Sequence, residues 1–219
     1  MKVLAALVLA GCALTSRAPP RELRYFTPEG ETHAAPHTPE APRAQLRIGR
    51  VRAASNLRHA IVHRESSVEV EPYETLRWTE MPDVYVRRAL DRALFDERPL
   101  AEVVSGDAPT LDVEVIAFEE TVRGTQHAGR VRLRYELRGD RAVIARGTVT
   151  AERPATSPAI ASVVEAIRAA MISATEELAD RIERSLLERA APAPEDRSAS
   201  DPARSDTGSA SGMRAPALH

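Results

Sequence analysis

Arg130-Val131-Arg132-Leu133-Arg134-Tyr135-Glu136-Leu137-Arg138 alternates without interruption between apolar and charged residues. Side chains of an extended chain point to opposite faces in turn. Val131, Leu133, Tyr135 and Leu137 therefore share one face, and Arg130, Arg132, Arg134 and Glu136 share the other. This pattern predicts a strand with one packed side and one wet side, as in an antiparallel sheet. Gly139-Asp140 is a hairpin turn signal, and a second strand is expected from about Ala142 to Ala151. Upstream, Thr110 to Glu119 alternates Leu111, Val113, Val115 and Ala117 in the same way. Downstream the period changes from two to three or four. Ile160, Val163, Val164, Ile167, Met171, Ala174, Leu178 and Ile182 recur at helical spacing through about Arg189, with Pro192 marking the stop. Ser157-Pro158 supplies a cap and a first-turn proline. At ~1.5 Å per residue such a helix is about 45 Å long, enough to cross a sheet.

The region before these elements follows the same logic. Leu46, Ile48 and Val51 open a strand, and Ala60 to Arg64 reads as its hairpin partner. Val68-Glu69-Val70-Glu71 alternates in strand fashion. Met81-Pro82-Asp83 then precedes a helix with Val86, Ala89, Leu90, Ala93 and Leu94 on one face, ending near Glu97-Arg98-Pro99. The fold class expected is α+β: a single domain with an antiparallel-rich mixed sheet covered on one face by two helices, the C-terminal one long.

The N-terminus carries a different signal. Met1-Lys2 precedes the apolar run Val3 to Ala10, which has the length of a signal-peptide core and falls short of the ~20 residues of a spanning helix. Leu9-Ala10-Gly11-Cys12 resembles a lipobox. Small side chains fit the peptidase before the cut, and a thiol just after it accepts the lipid. Cys12 is the only cysteine, so no intramolecular disulfide is possible. The alternative is an ordinary secretory signal with an incidental cysteine. Ala13, Leu14 and Thr15 follow Cys12. An Asp there is the common inner-membrane retention signal, and its absence favours the outer membrane. The expected organisation is a lipoprotein signal peptide over 1–11 and a lipidated tether over 12–43, with a short first strand near 24–27 at Tyr25-Phe26. The α+β domain follows over 44–191, and a Ser-, Ala-, Asp- and Pro-rich disordered tail over 192–219.

Composition narrows the functional classes. Thirty basic residues oppose 32 acidic ones, which argues against a nucleic-acid binder. Aromatic residues make up 4%, too few for a base- or sugar-stacking platform. There is no G-x-S-x-G elbow, P-loop, G-x-G-x-x-G or H-E-x-x-H motif. His59 and His63 are four apart but flank a predicted strand without a third ligand, and read as a solvated edge. Glu119-Glu120 and Glu176-Glu177 are adjacent carboxylates whose side chains diverge, so charged outer faces account for them. The arginines from Arg130 to Arg138 suit an acidic partner or a lipid phosphate, with a solvated strand face as the simpler account. No catalytic residue, metal ligand or cofactor is expected, and the chain reads as non-enzymatic.

Several motifs in order resemble the ABC-type transport auxiliary lipoproteins, a PqiC-like family. They are the lipobox, Tyr25-Phe26 in an opening strand, Ile48-Gly49-Arg50-Val51, and Leu57 to Arg64 ending in Ile61-Val62-His63-Arg64. Arg77-Trp78-Thr79-Glu80-Met81-Pro82, entering the first helix, is similar to the family's tryptophan segment. Leu111 to Glu119 resembles its central strand, and the last helix its closing helix. The Met81-Pro82 pair and the extension from Arg189 to His219 depart from the pattern. The resemblance implies an outer-membrane lipoprotein facing the periplasm, anchored through Cys12 beside a mammalian-cell-entry (MCE) protein and an ABC transporter that move lipids between the two membranes. Homo-oligomerisation is compatible with it. Arg77 and Trp78 are candidates for partner contact, with a core plug as the competing role for the tryptophan. The other reading is a structural or assembly lipoprotein of an outer-membrane biogenesis complex, without lipid contact of its own.

Overall fold

The computed structural model of the chain describes residues 21–30 and 44–190. These form one mixed eight-stranded sheet and two helices, an α+β domain. In chain order the elements are β1 (Arg24–Phe26), β2 (Ala44–Ala53), β3 (Ala60–Arg64), β4 (Glu71–Trp78), α1 (Pro82–Asp91), β5 (Leu100–Glu102), β6 (Thr110–Arg123), β7 (Gln126–Arg138), β8 (Val143–Pro154) and α2 (Ile160–Ala190). The long antiparallel meander β6-β7-β8 is the spine. β6 and β7 pair from Thr110↔Arg138 to Arg123↔Gln126, and β7 and β8 from Ala128↔Pro154 to Arg138↔Val143. The β6–β7 strands outrun their sequence boundaries because the turn between them needs only Gly124 and Thr125. Gly124 sits at φ 63°, a left-handed conformation that glycine adopts without steric cost.

The expected hairpin of β2 with β3 does not form. β7 holds one edge of β6 along its whole length, which leaves a single free edge. β2 pairs in parallel with the first half of that edge (Arg47↔Thr110 to Ala53↔Val115), and β3 in parallel with its far end (His63↔Glu120, Arg64↔Thr121). The chain thus continues in one direction across the gap. The Ala54 amide donates to the Val115 carbonyl, the Leu57 amide turns back to the Ala54 carbonyl, and Leu57 is buried there. A two-strand reading of local sequence cannot see that a third strand of higher length competes for both partners.

The strand expected at Val68–Glu71 is also displaced. Val68 is 91% exposed, and β4 begins at Glu71 and runs to Trp78. β4 pairs antiparallel with β3, and β1 joins its end in parallel (Arg24↔Leu76 to Phe26↔Trp78), so Arg77 and Trp78 close a strand before α1 begins. β5 adds to the start of β2.

Both helices lie on one face. α1 has Pro82 in its first turn, as expected from sequence. It continues into a π-helical turn over Arg92–Asp96 before Pro99. α2 starts two residues after the proline signal. Ala159 is its cap, and the Ser157 hydroxyl accepts from the Ala159 amide at 3.4 Å. Its buried stripe (Val163, Ile167, Ala170, Met171, Ala174, Leu178, Ile182) covers Val131, Leu133, Tyr135 and Leu137 of β7. Where α2 crosses nearest, β7 carries Gly129. A Cβ there would lie 2.5 Å from Ile167 Cα, inside van der Waals contact. At the α1 end, Trp78, Tyr85 and Phe118 form the aromatic centre of the core, with ring centroids 5.3 to 6.4 Å apart. The buried Tyr85 hydroxyl is satisfied by Thr79 Oγ1 at 2.7 Å and by the Glu80 amide at 2.8 Å.

Candidate functional site

With both helices on one side, no described element covers the opposite face of the sheet, and strand alternation fills it with charge. Through β2, β3, β6, β7 and β8 it presents Arg47, Arg50, Arg52, Arg64, Arg123, Arg130, Arg132, Arg134, Arg138 and Arg146 against Asp112, Glu114, Glu119, Glu136 and Glu152. This face has twice as many cations as anions in a chain of formal net charge −2, so the remainder of the chain is acidic. A shallow groove of about 860 Å³ runs across it, lined by Arg50, Arg52, Asp112, Glu114, Arg134, Glu136, Arg138 and Arg146, with buried Val113 and Tyr135 at its floor.

The acids of this face are all engaged by arginines, four of them across strands and Glu136 by Arg138 of its own strand. Arg134 donates to Glu114 at 3.1 Å, Arg52 approaches the same carboxylate at 3.7 Å, and Arg138 bridges Asp112 and Glu136. Asp112 also accepts from the Arg50 amide at 2.7 Å, which is possible because Gly49 leaves the space beside it empty. Arg123 binds Glu152, and its guanidinium is held further into the charged form by that hydrogen bond. Arg50, Arg132 and Arg146 are exposed, and among the described residues they have no acidic partner.

Glu119 and Glu120 depart from the sequence reading. They diverge as adjacent strand residues must, but each is 1% exposed rather than on an outer surface. Glu119, on the open side, is enclosed by two guanidiniums: Arg64 Nε donates to Oε1 at 2.9 Å and Arg130 Nε at 3.0 Å. Glu120, on the helix side, accepts from the Tyr73 hydroxyl at 2.5 Å and lies 2.5 Å from His127 Nδ1. Burial, followed by the bond to Glu120, raises the Tyr73 phenol well above its ordinary pKa. His63 packs on Tyr73 with ring centroids 4.6 Å apart and the planes tilted by 37°, and its side chain is mostly covered rather than solvated. The two carboxylates tie β3, β4, β6 and β7 together at one end of the sheet. Their burial depends on β3 lying against β6, which the local sequence does not show.

Arg77 and Trp78 are adjacent in β4 but play different parts. Trp78 is 1% exposed in the aromatic core and offers no surface for contact. Arg77 donates to the carbonyls of Tyr73, Glu74 and Leu76 of its own strand. Cys12 lies outside the described residues. Among the described residues no three His, Cys, Asp or Glu side chains converge to hold a metal ion, and no helix is long and apolar enough to cross a membrane.

No curated protein matches the chain. In fold it is similar to a Xanthomonas campestris protein of the DUF330 family, at TM-score 0.64 and 22% identity over 76% of this chain and 98% of that one. A second crystal structure, of an uncharacterised protein, matches at TM-score 0.59 and 15% identity over 74% of this chain and 99% of that one. The sequence profile described as ABC-type transport auxiliary lipoprotein component matches residues 27–182, which take in β2 to β8, α1 and most of α2. The chain belongs to the ABC-type transport auxiliary lipoprotein family.

Proposed function

We propose that the protein is a non-enzymatic, lipid-anchored subunit of an MCE/ABC-type system that moves lipids between the inner and outer membranes. In this reading Cys12 carries the lipid, the anchor sits in the outer membrane, and the domain faces the periplasm, docking on the MCE component. Family membership over residues 27–182 is the observation that carries it. The lipobox Leu9-Ala10-Gly11-Cys12 supplies the anchor, because only a thiol just after the cut can take the diacylglycerol. Acyl chains contribute about 0.8 kcal/mol per buried methylene, so several together hold a domain stably at a bilayer.

The test is affinity capture of the tagged, full-length protein from detergent-solubilised membranes. An MCE protein with its ATPase and permease is the expected catch, and outer-membrane assembly factors without any MCE protein would refute the reading. In parallel, Cys12→Ser is expected to abolish fatty-acid labelling and release the protein from the outer-membrane fraction. Continued sedimentation of the mutant with that fraction would show that a partner, not the lipid, holds it.

A further inference from the structure

Among the described residues no element packs on this face of the sheet, and its cations outnumber its anions two to one. The groove lining contains no exposed large apolar side chain, since Val113 and Tyr135 are buried at its floor. It therefore lacks the aromatic or aliphatic anchor that a protein interface buries at its centre. What it offers is guanidinium. The acids of the face are spent on pairs with its other arginines, while Arg50, Arg132 and Arg146 are exposed and unpaired among the described residues. Guanidinium groups match phosphate oxygens in geometry and charge, and are weakly hydrated enough to make close contact.

Chain length supplies the second argument. β1 fixes Arg24 into the sheet beside β4. The twelve residues from Cys12 to Arg24 span at most about 40 Å when fully extended. β7, with 13 residues at ~3.3 Å each, is itself about as long, so every part of the sheet is within reach of the bilayer holding the anchor. Surface charge acts only within about 10 Å at 0.1 M salt, and a link of this length lets the face come within that range and raises its effective concentration at the bilayer.

We propose that the arginine face of the sheet is a docking surface for the anionic headgroup layer of the anchoring bilayer, with Arg50, Arg132 and Arg146 meeting lipid phosphates. The proposal takes its proximity argument from the anchoring described above, and its test is independent of that anchor. The mature chain from residue 12 onward, carrying Cys12→Ser and hence no lipid, is sedimented with phosphatidylcholine vesicles with and without phosphatidylglycerol. Binding is expected only to the vesicles containing phosphatidylglycerol, and is expected to disappear at high salt. Each arginine near an anionic surface contributes about a factor of five in partitioning, so the triple change Arg50→Gln, Arg132→Gln and Arg146→Gln is expected to weaken binding about a hundredfold. The triple change to Lys keeps the charge and is expected to retain binding. Arg181→Gln, Arg184→Gln and Arg189→Gln on α2 remove the same charge from the covered side and are expected to leave binding unchanged. All three face residues are exposed and unpaired, so circular dichroism is expected to report an intact fold. Failure to bind anionic vesicles, equal loss from both Gln triples, or Arg50-, Arg132- and Arg146-dependent capture of an acidic protein instead would overturn the proposal. None of these results would touch the recovery of transporter components in the affinity capture.

Discussion

A single methyl group at position 129 is expected to lift α2 from the sheet. The Cβ of Gly129→Ala would sit against the backbone at Ala166 and Ile167, 2.5 Å from Ile167 Cα. Flexible side-chain ends can turn aside, but these atoms belong to the backbone of the first third of a 31-residue helix packed on β7 and β8. Restoring ordinary contact at about 3.5 Å needs a displacement of more than about 1 Å, and a gap of about 0.5–1 Å already forfeits about a quarter to a half of each dispersion contact along the seam. Overpacking costs ~1–3 kcal/mol when side chains can adjust, and the upper end is expected where two backbones meet. A loss of about 3 kcal/mol lowers Tm by about 6–12 °C in a domain of this size. Urea unfolding followed by circular dichroism measures it. Gly49→Ala is the internal comparison. There a Cβ would meet the side chains of Asp112 and Thr110, which can swing toward solvent, so a smaller loss is expected. If Gly129→Ala unfolds within about 0.5 kcal/mol of the parent, in the range of an ordinary surface change, the close approach of α2 and β7 is wrong.

Trp78→Ala is expected to destabilise the domain by about 3–5 kcal/mol through the cavity it leaves against Tyr85 and Phe118; a chain that keeps its stability but loses its partners would instead place the tryptophan at an interface. Acid is expected to loosen the N-terminal segment before the helices. Arg88 joins Glu29 to Glu80, and its hydrogen bond holds the Glu80 carboxyl below the usual range, so this contribution is present above the ordinary carboxylate pKa and is lost as pH falls through and below it. Hydrogen exchange at residues 24–30 follows the loosening, and Glu80→Gln with Glu29→Gln is expected to remove its pH dependence; an unaltered acid response in that double variant would refute the linkage.

The charge on the open sheet face is the feature that sets this domain apart from a plain two-layer sandwich. Polar side chains on an exposed strand face need no special account, since water satisfies them. Here, though, the face holds two cations for each anion and buries one carboxylate between two guanidiniums, at an expected cost in desolvation that only close pairing offsets. Glu119 keeps Arg64 and Arg130 in fixed positions and joins β3 to β6 and β7, so part of the charge is structural. The unpaired arginines have no such employment within the described domain.

How much was legible depended on the range of the interaction concerned. The meander β6-β7-β8, both helices and the packed and wet sides of β7 followed from local periodicity, because side-chain direction is fixed by the backbone within two to four residues. Strand partnership was not legible in this way. Whether β3 pairs with β2 or with β6 depends on which long edge is free after the rest of the sheet has assembled, and no local pattern encodes that. The burial of Glu119, Glu120 and Trp78 follows from that choice, since each is enclosed by residues tens of positions away. The sequence by itself determined both helices, the β6-β7-β8 meander with its packed face, and the resemblance to the family. Only the tertiary structure decided which charges were spent on one another and which were left on an open surface, because pairing across strands is set by register and not by composition.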